Sequence, residues 1–147
     1  MAAASFAGLA LLFCSCTTAT PRPELKGAWR AEVYDLADGS QHPVSGQIIF
    51  TDSDWTVLYF VTQDGQAQRA SGEGGSYQLE SAGRLVFHHL FNLSFGKDLP
   101  GLPASPLRMQ IQGDAGIAEP CRYELSQDQL RLFFPSGNTM SFRRSSR

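Results

Sequence analysis

The fold is decided first by residues 25–34, LKGAWRAEVY, in which apolar and polar side chains begin to alternate. A period of two is typical of a β-strand with one buried face, because successive side chains point to opposite sides of a strand. The buried face of this segment would carry Trp29, Ala31 and Val33. We therefore predict that the domain begins with a half-buried strand.

The same short-period pattern recurs along the rest of the chain. Further strands are predicted at residues 46–51, 55–62, 76–80, 84–93, 107–112, 120–126, 129–134 and 139–143. Gly, Pro, Asp and Asn separate them, as turns require, and no segment has a convincing helical period. An open sheet of eight or nine short strands has two exposed edge strands, and closing the sheet into a barrel removes both edges. The sequence therefore predicts an all-β fold, an eight- to nine-stranded antiparallel up-and-down barrel, with a two-sheet sandwich as the alternative.

Three segments depart from the regular pattern. Residues 64–75 are polar and rich in glycine, which predicts a flexible loop, and Pro43 argues against a strand centre. Residues 94–106 contain three prolines and two glycines, which predicts a long loop that could serve as a lid. Residues 55–62, WTVLYFVT, are apolar on both faces, so this strand is either covered on both sides or contributes a surface patch.

Composition limits the kind of partner. The chain has 147 residues, of which 42% are hydrophobic, so it can bury the core of one domain. Its formal net charge is −2 and no basic stripe is present, which argues against nucleic-acid binding.

The N-terminal residues resemble an export signal. Residues 7–16, AGLALLFCSC, form an apolar run too short for a stable membrane span but suited to a signal-peptide core. Cys16 follows a small residue, as the lipidated cysteine of a bacterial lipoprotein does. We predict a signal at residues 1–16, a spacer at 17–24 and the barrel at 25–145. Export to the periplasm follows, either as a cleaved protein or as an outer-membrane lipoprotein tethered through Cys16.

The opening motif resembles a known family. Residues 25–29, LKGAW, look like the Gly-x-Trp first strand of the lipocalins and of the bacterial lipocalin-like domain. The resemblance implies that Gly27 lets the chain bend into the barrel and that Trp29 plugs its closed end. It also implies that a basic residue of the last strand, Arg143 or Arg144, stacks over this tryptophan.

Few residues suggest a catalytic or metal-binding role. His88 and His89 are adjacent on a strand and point to opposite faces, so they cannot share a metal ion, although His89 could face a ligand. Glu73 and Glu119 have no recognisable partner in the sequence, and Cys121 is expected to be a buried thiol. We therefore expect no enzymatic activity, metal or cofactor.

The remaining candidate site is the inward-facing set. Its predicted ligand-binding members are Val33, Phe50, Tyr59, Tyr77, Phe87, His89, Met109 and Tyr123. These side chains would either line a cavity or fill it, and both outcomes are compatible with a small barrel. The leading hypothesis is an exported barrel that binds a small hydrophobic or amphipathic molecule. The alternative is a filled barrel that binds a protein, as a periplasmic inhibitor or an envelope assembly factor.

Overall fold

A computed structural model describes residues 24–80, 83–113 and 116–146. These residues form nine strands: β1 (Gly27–Asp35), β2 (Gln41–Phe50), β3 (Asp54–Gln63), β4 (Gln66–Leu79), β5 (Arg84–Gly96), β6 (Ser105–Ile111), β7 (Ile117–Leu125), β8 (Gln129–Phe133) and β9 (Thr139–Arg144). Within the described ranges, no helix has the length and hydropathy that a membrane span needs. The predicted signal and Cys16 lie outside the described residues.

Eight of these strands close into an antiparallel barrel. Neighbours run in the order β4-β3-β2-β1-β9-β8-β7-β5, and pairing between β4 and β5 closes the ring. β6 is an additional strand that pairs only with the far half of β5, from Phe91 to Gly96. The predicted eight- to nine-stranded barrel is confirmed, and the sandwich alternative is not what forms.

One end of the barrel is closed by Trp29. Its side chain is fully buried, and its indole Nε1–H donates to the carbonyl of Leu25 at 2.8 Å. Gly27 precedes it with φ at +123°, a conformation that L side chains rarely adopt. The guanidinium of Arg144 lies 4.0 Å from the centre of the Trp29 ring. Arg144, rather than Arg143, is therefore the stacking residue.

Arg143 points away from the barrel because neighbouring residues of a strand face opposite sides. Its guanidinium pairs with Glu32 at 2.7 Å and with Asp128 at 3.4 Å on the surface. Of the two candidate arginines, Arg143 is therefore not the one that contacts the tryptophan.

The opposite end is covered by the connection between β5 and β6. The predicted loop at 94–106 is shorter than expected, because β5 continues to Gly96 and β6 begins at Ser105. The remaining segment is fixed in place. Arg69 Nη1 donates to the carbonyls of Lys97 at 2.6 Å and Pro103 at 2.8 Å, and His42 Nε2 lies 2.8 Å from the carbonyl oxygen of Pro100.

The glycine-rich segment is a strand rather than a loop, and the strand that contains Pro43 begins earlier than predicted. Residues 66–75 belong to β4. From Arg69 onward they pair with both β3 and β5, and these two ladders hold the glycines in a strand. Pro43 lies within β2, at a position where pairing with β3 has not yet begun. Its missing N–H therefore costs that ladder nothing.

Candidate functional site

The interior of the barrel contains a cavity of about 170 Å³. It lies between the Trp29 end and the β5–β6 connection, and its walls are mainly aromatic and aliphatic. The lining residues are Tyr34, Ile48, Trp55, Val57, Tyr59, Glu73, Phe87, His89, Glu119, Leu132, Phe134, Ser136, Met140 and Phe142. The interior is therefore neither completely filled nor as large as the cavities of roughly 300 Å³ and above that hold drug-sized ligands.

Three residues of the predicted ligand-binding set line this cavity. They are Tyr59 on β3 and Phe87 and His89 on β5. Phe87 is 1% exposed and contacts the Trp55 ring at a centroid distance of 4.3 Å, so the two form one rigid wall.

Three other members belong to the core but do not line the cavity. Phe50 is 1% exposed and packs edge-on against Tyr77 at 5.2 Å. The hydroxyl of Tyr77 donates to the carbonyl of Thr51 at 2.8 Å, and Tyr123 is partly buried against the core. These residues support the barrel below the cavity.

Val33 and Met109 are not inward-facing, and each was misplaced for a different reason. In β1 the pairing with β9 shifts between Ala31 and Val33, and after this bulge Tyr34 takes the inward position that alternation had given to Val33. Met109 lies on β6, outside the closed ring, and is 73% exposed.

The polar part of the cavity is a three-residue ion cluster centred on His89. Its Nδ1 lies 3.0 Å from Oε2 of Glu73, and its Nε2 lies 3.1 Å from Oε2 of Glu119. Glu73 also accepts a hydrogen bond of 2.7 Å from the hydroxyl of Ser71. Three strands thus contribute: β4 carries Ser71 and Glu73, β5 carries His89 and β7 carries Glu119.

The two carboxylates hold His89 in its charged form. Ion pairs with Glu119 and Glu73 outweigh burial and raise the pKa of His89 to about 9. Burial alone would raise the pKa of Glu73, but bonds from His89 and Ser71 hold that pKa below its ordinary value. At neutral pH the cluster is therefore one imidazolium between two carboxylates, with a net charge of −1.

Trp55 contributes an unused donor beside this cluster. The residue is 5% exposed and its ring lies edge-on to His89, with 5.1 Å between the centroids. Its indole Nε1 is buried and has no hydrogen-bond partner among the described residues. An unpaired buried donor costs about 1–3 kcal/mol, so this nitrogen lowers the stability of the wall that it belongs to.

The barrel wall is incomplete next to Glu119. The first half of β7 pairs with β5 but not with β8, whose ladder with β7 begins at Arg122 opposite Phe133. His89 and Glu119 line the cavity and also an open groove on the far side of this gap. The groove is bounded by Arg108, Gln110 and Pro135. The ion cluster therefore lies between the cavity and solvent.

Glu73 and Glu119 were missed as site residues because each was considered without its strand neighbours. Glu119 lies two residues before the buried Cys121, and that spacing places both on the inner face. The spacing was therefore a usable signal. Glu73 was hidden by the interpretation of residues 64–75 as a loop. The bulge that turns Tyr34 inward cannot be recognised in the alternation of apolar and polar residues along β1.

No metal site accompanies the cluster: the described part of the chain contains no grouping of His, Cys, Asp and Glu suited to a metal ion. Cys121 is 5% exposed, as expected for a buried thiol, and burial raises its pKa to about 12.

Comparison with known proteins agrees with the architecture. The chain is similar to the crystal structure of a lipocalin-like protein from Bacteroides uniformis, with a TM-score of 0.51 and 19% identity. That match covers 82% of this chain and 98% of the other. An uncharacterized protein from Bacteroides eggerthii matches with a TM-score of 0.50 and 16% identity, over 83% of this chain and 100% of the other. No protein-family model and no curated protein sequence matches.

These similarities define the class of fold. The protein has a lipocalin-like barrel, as the Gly-x-Trp motif and its arginine partner had indicated. At these identities the likeness concerns the fold alone.

Proposed function

We propose that this barrel binds a compact hydrophobic or amphipathic molecule in its interior cavity. The observation that carries the proposal is the 170 Å³ space itself, which is bounded by apolar walls and one ion cluster. An engineered apolar cavity of about 150 Å³ holds benzene. The cavity described here therefore suits a ligand built around one ring, and an extended acyl chain is too long for it.

The role proposed is binding rather than catalysis. Both ring nitrogens of His89 are engaged by carboxylates, which keeps the imidazole protonated near neutral pH. A protonated histidine cannot accept a proton as a general base.

A cavity-filling pair of variants tests the proposal. Val57 lines the cavity and is 8% exposed, whereas its neighbour Leu58 points outward and is 50% exposed. We expect added benzyl alcohol to shift the amide resonances of β3, β5 and β7 in nitrogen–proton correlation spectra. Val57→Phe should abolish these shifts, and Leu58→Phe should leave them. Saturable binding that survives Val57→Phe, or no binding to the parent protein, would contradict the proposal.

A second candidate function, binding of a partner protein, is favoured by the outer face of β3, β5 and β6. This face exposes a run of large apolar side chains: Leu58, Phe60, Phe91, Leu93, Phe95, Leu107, Met109 and Ile111. Monomeric proteins rarely expose so much contiguous apolar surface. The two-faced third strand predicted from sequence contributes Leu58 and Phe60 to it. The partner proposed is an envelope protein that covers the face with apolar side chains.

A photo-cross-linker placed at Met109 tests this second function in cells. We expect one discrete adduct with another envelope protein, which a linker at the exposed Glu124 of β7 does not give. Only self-adducts, or no adduct at all, would count against it.

We propose export as the setting for either function, and this rests on residues 7–16 of the sequence. Labelling with radioactive palmitate and fractionation test it. Cys16→Ser should abolish the label and release the protein from the membrane fraction, and Cys14→Ser should not. Recovery of unlabelled parent protein in the cytoplasm would reject export.

A further inference from the structure

We infer that the cavity selects compact cationic ligands, amines with a single ring, over neutral analogues and against carboxylates. This inference rests on the proposed binding function and names the chemical class of the ligand. It follows from the charge of the cavity wall and from the aromatic rings that form part of it.

The charge of the wall is negative. Of the residues that line the cavity, Glu73, His89 and Glu119 are the ones charged at neutral pH. Two carboxylates outweigh one imidazolium, so a bound cation would neutralise the site, whereas a bound carboxylate would double its negative charge. Because the lining is mainly apolar, that difference favours the cation among ligands of equal shape.

Glu119 is placed to receive the cation. His89 uses only one of its oxygens, Oε2, at 3.1 Å. Glu119 also lines both the cavity and the open groove, and its side chain is 32% exposed. An ammonium group can therefore reach Oε1 from the gap beside β7 without displacing the imidazolium. Glu73 is less available because His89 and Ser71 occupy both of its oxygens.

The cavity wall adds a second requirement. The Trp55 and Phe87 rings form an aromatic wall against which a ligand ring can pack. The ligand class is thus an aromatic or similarly compact amine.

Two arginines lie near the site but do not line the cavity. Arg69 is engaged by the carbonyls of Lys97, Leu102 and Pro103, and Arg108 lines the outer groove. Arg108 could attract anions to the groove, which makes it a necessary control.

A matched series of probes provides the test. Benzylamine, benzyl alcohol and benzoate have nearly the same shape and differ in charge, and their affinities would be measured by calorimetry at pH 7 on the full barrel. We expect benzylamine to bind at least tenfold more tightly than benzoate, with benzyl alcohol between them. Glu119→Gln should reduce benzylamine affinity by about tenfold and weaken the preference for benzylamine over benzyl alcohol, whereas Glu124→Gln and Arg108→Gln should preserve the preference for the cation.

The outcomes separate the two proposals. If none of the three probes binds, the proposed binding function fails and this inference fails with it. If benzyl alcohol binds but benzoate equals or exceeds benzylamine, the cavity is a binding site and the inferred selectivity is wrong. A preference for benzylamine that Glu119→Gln does not reduce would place the cation elsewhere and overturn the assignment to Glu119. Circular dichroism verifies that this variant is folded.

Discussion

The guanidinium of Arg144 lies 4.0 Å above the Trp29 ring and donates to the carbonyls of Lys26 and Glu24 near the start of β1. A single side chain of the last strand therefore fixes both the aromatic plug and the backbone that leads into it. Its neighbour Arg143 makes only exposed ion pairs, which stabilise proteins little.

The pair of arginines gives a direct prediction for stability. Arg144→Ala should lower the free energy of unfolding by about 2 kcal/mol, because a cation–π contact and several hydrogen bonds to carbonyls are lost together. Arg143→Ala should change it by less than about 1 kcal/mol. Urea unfolding monitored by circular dichroism measures both, and equal effects would refute the different roles assigned to them.

Cys121 should be chemically inert in the folded protein. Its side chain is buried opposite Leu85, and the pKa of about 12 leaves almost no thiolate at pH 8. Iodoacetamide at pH 8, followed by peptide mass spectrometry, should label Cys121 at least a hundredfold more slowly than in urea. Labelling at similar rates in both conditions would mean that this part of β7 opens readily.

Much of the architecture was predictable because one face of nearly every strand is buried. Alternation placed Trp29, Phe50 and Phe87 on the inner face, where the structure finds them. Alternation fails where the strand register changes. The bulge in β1 reverses the inward positions, so Tyr34 replaces Val33, and nothing in the local sequence requires that bulge.

The ion cluster was harder to predict than the barrel. Glu73, His89 and Glu119 come from three strands and meet only because β5 lies between β4 and β7. Glycine content also suggested a loop around Glu73, although the glycines serve another purpose there. The ring of Phe91 lies directly over Gly74, where any larger side chain would collide with it. The site thus depends on contacts between distant residues that no local pattern contains.

Removing one carboxylate should be visible in the titration of His89. Glu119→Gln leaves a hydrogen-bond partner but removes a negative charge, so the pKa of His89 should fall from about 9 by roughly one unit or more. Glu124→Gln on the same strand serves as the control and should leave it unchanged. Imidazole chemical shifts followed by NMR between pH 5 and 10 provide the measurement. An unaltered pKa in Glu119→Gln would show that the ion pair across β5 and β7 is not formed in solution.

The same cluster should make stability depend on pH in a defined direction. The pKa of His89 is about 9 in the folded protein, against an ordinary value of 6.5, so the folded state holds the proton more tightly. Its stabilising contribution is therefore complete below pH 6.5 and is lost as the pH rises through 9. Glu73 has the opposite sign: its pKa lies below the ordinary value of 4.5, so its contribution is present above that pH and is lost on acidification.

The free energy of unfolding should fall by up to roughly 3 kcal/mol between pH 6 and pH 9.5. His89→Gln should remove most of this fall, whereas His88→Gln, on the opposite face of the same strand, should retain it. The raised pKa of Cys121 also lowers stability towards the upper limit of this range, but Cys121 is common to all three proteins and its effect cancels in the differences. Urea unfolding measured across this pH range provides the test. If the free energy of unfolding falls by the same amount in His89→Gln, the cluster is not the source of the pH dependence.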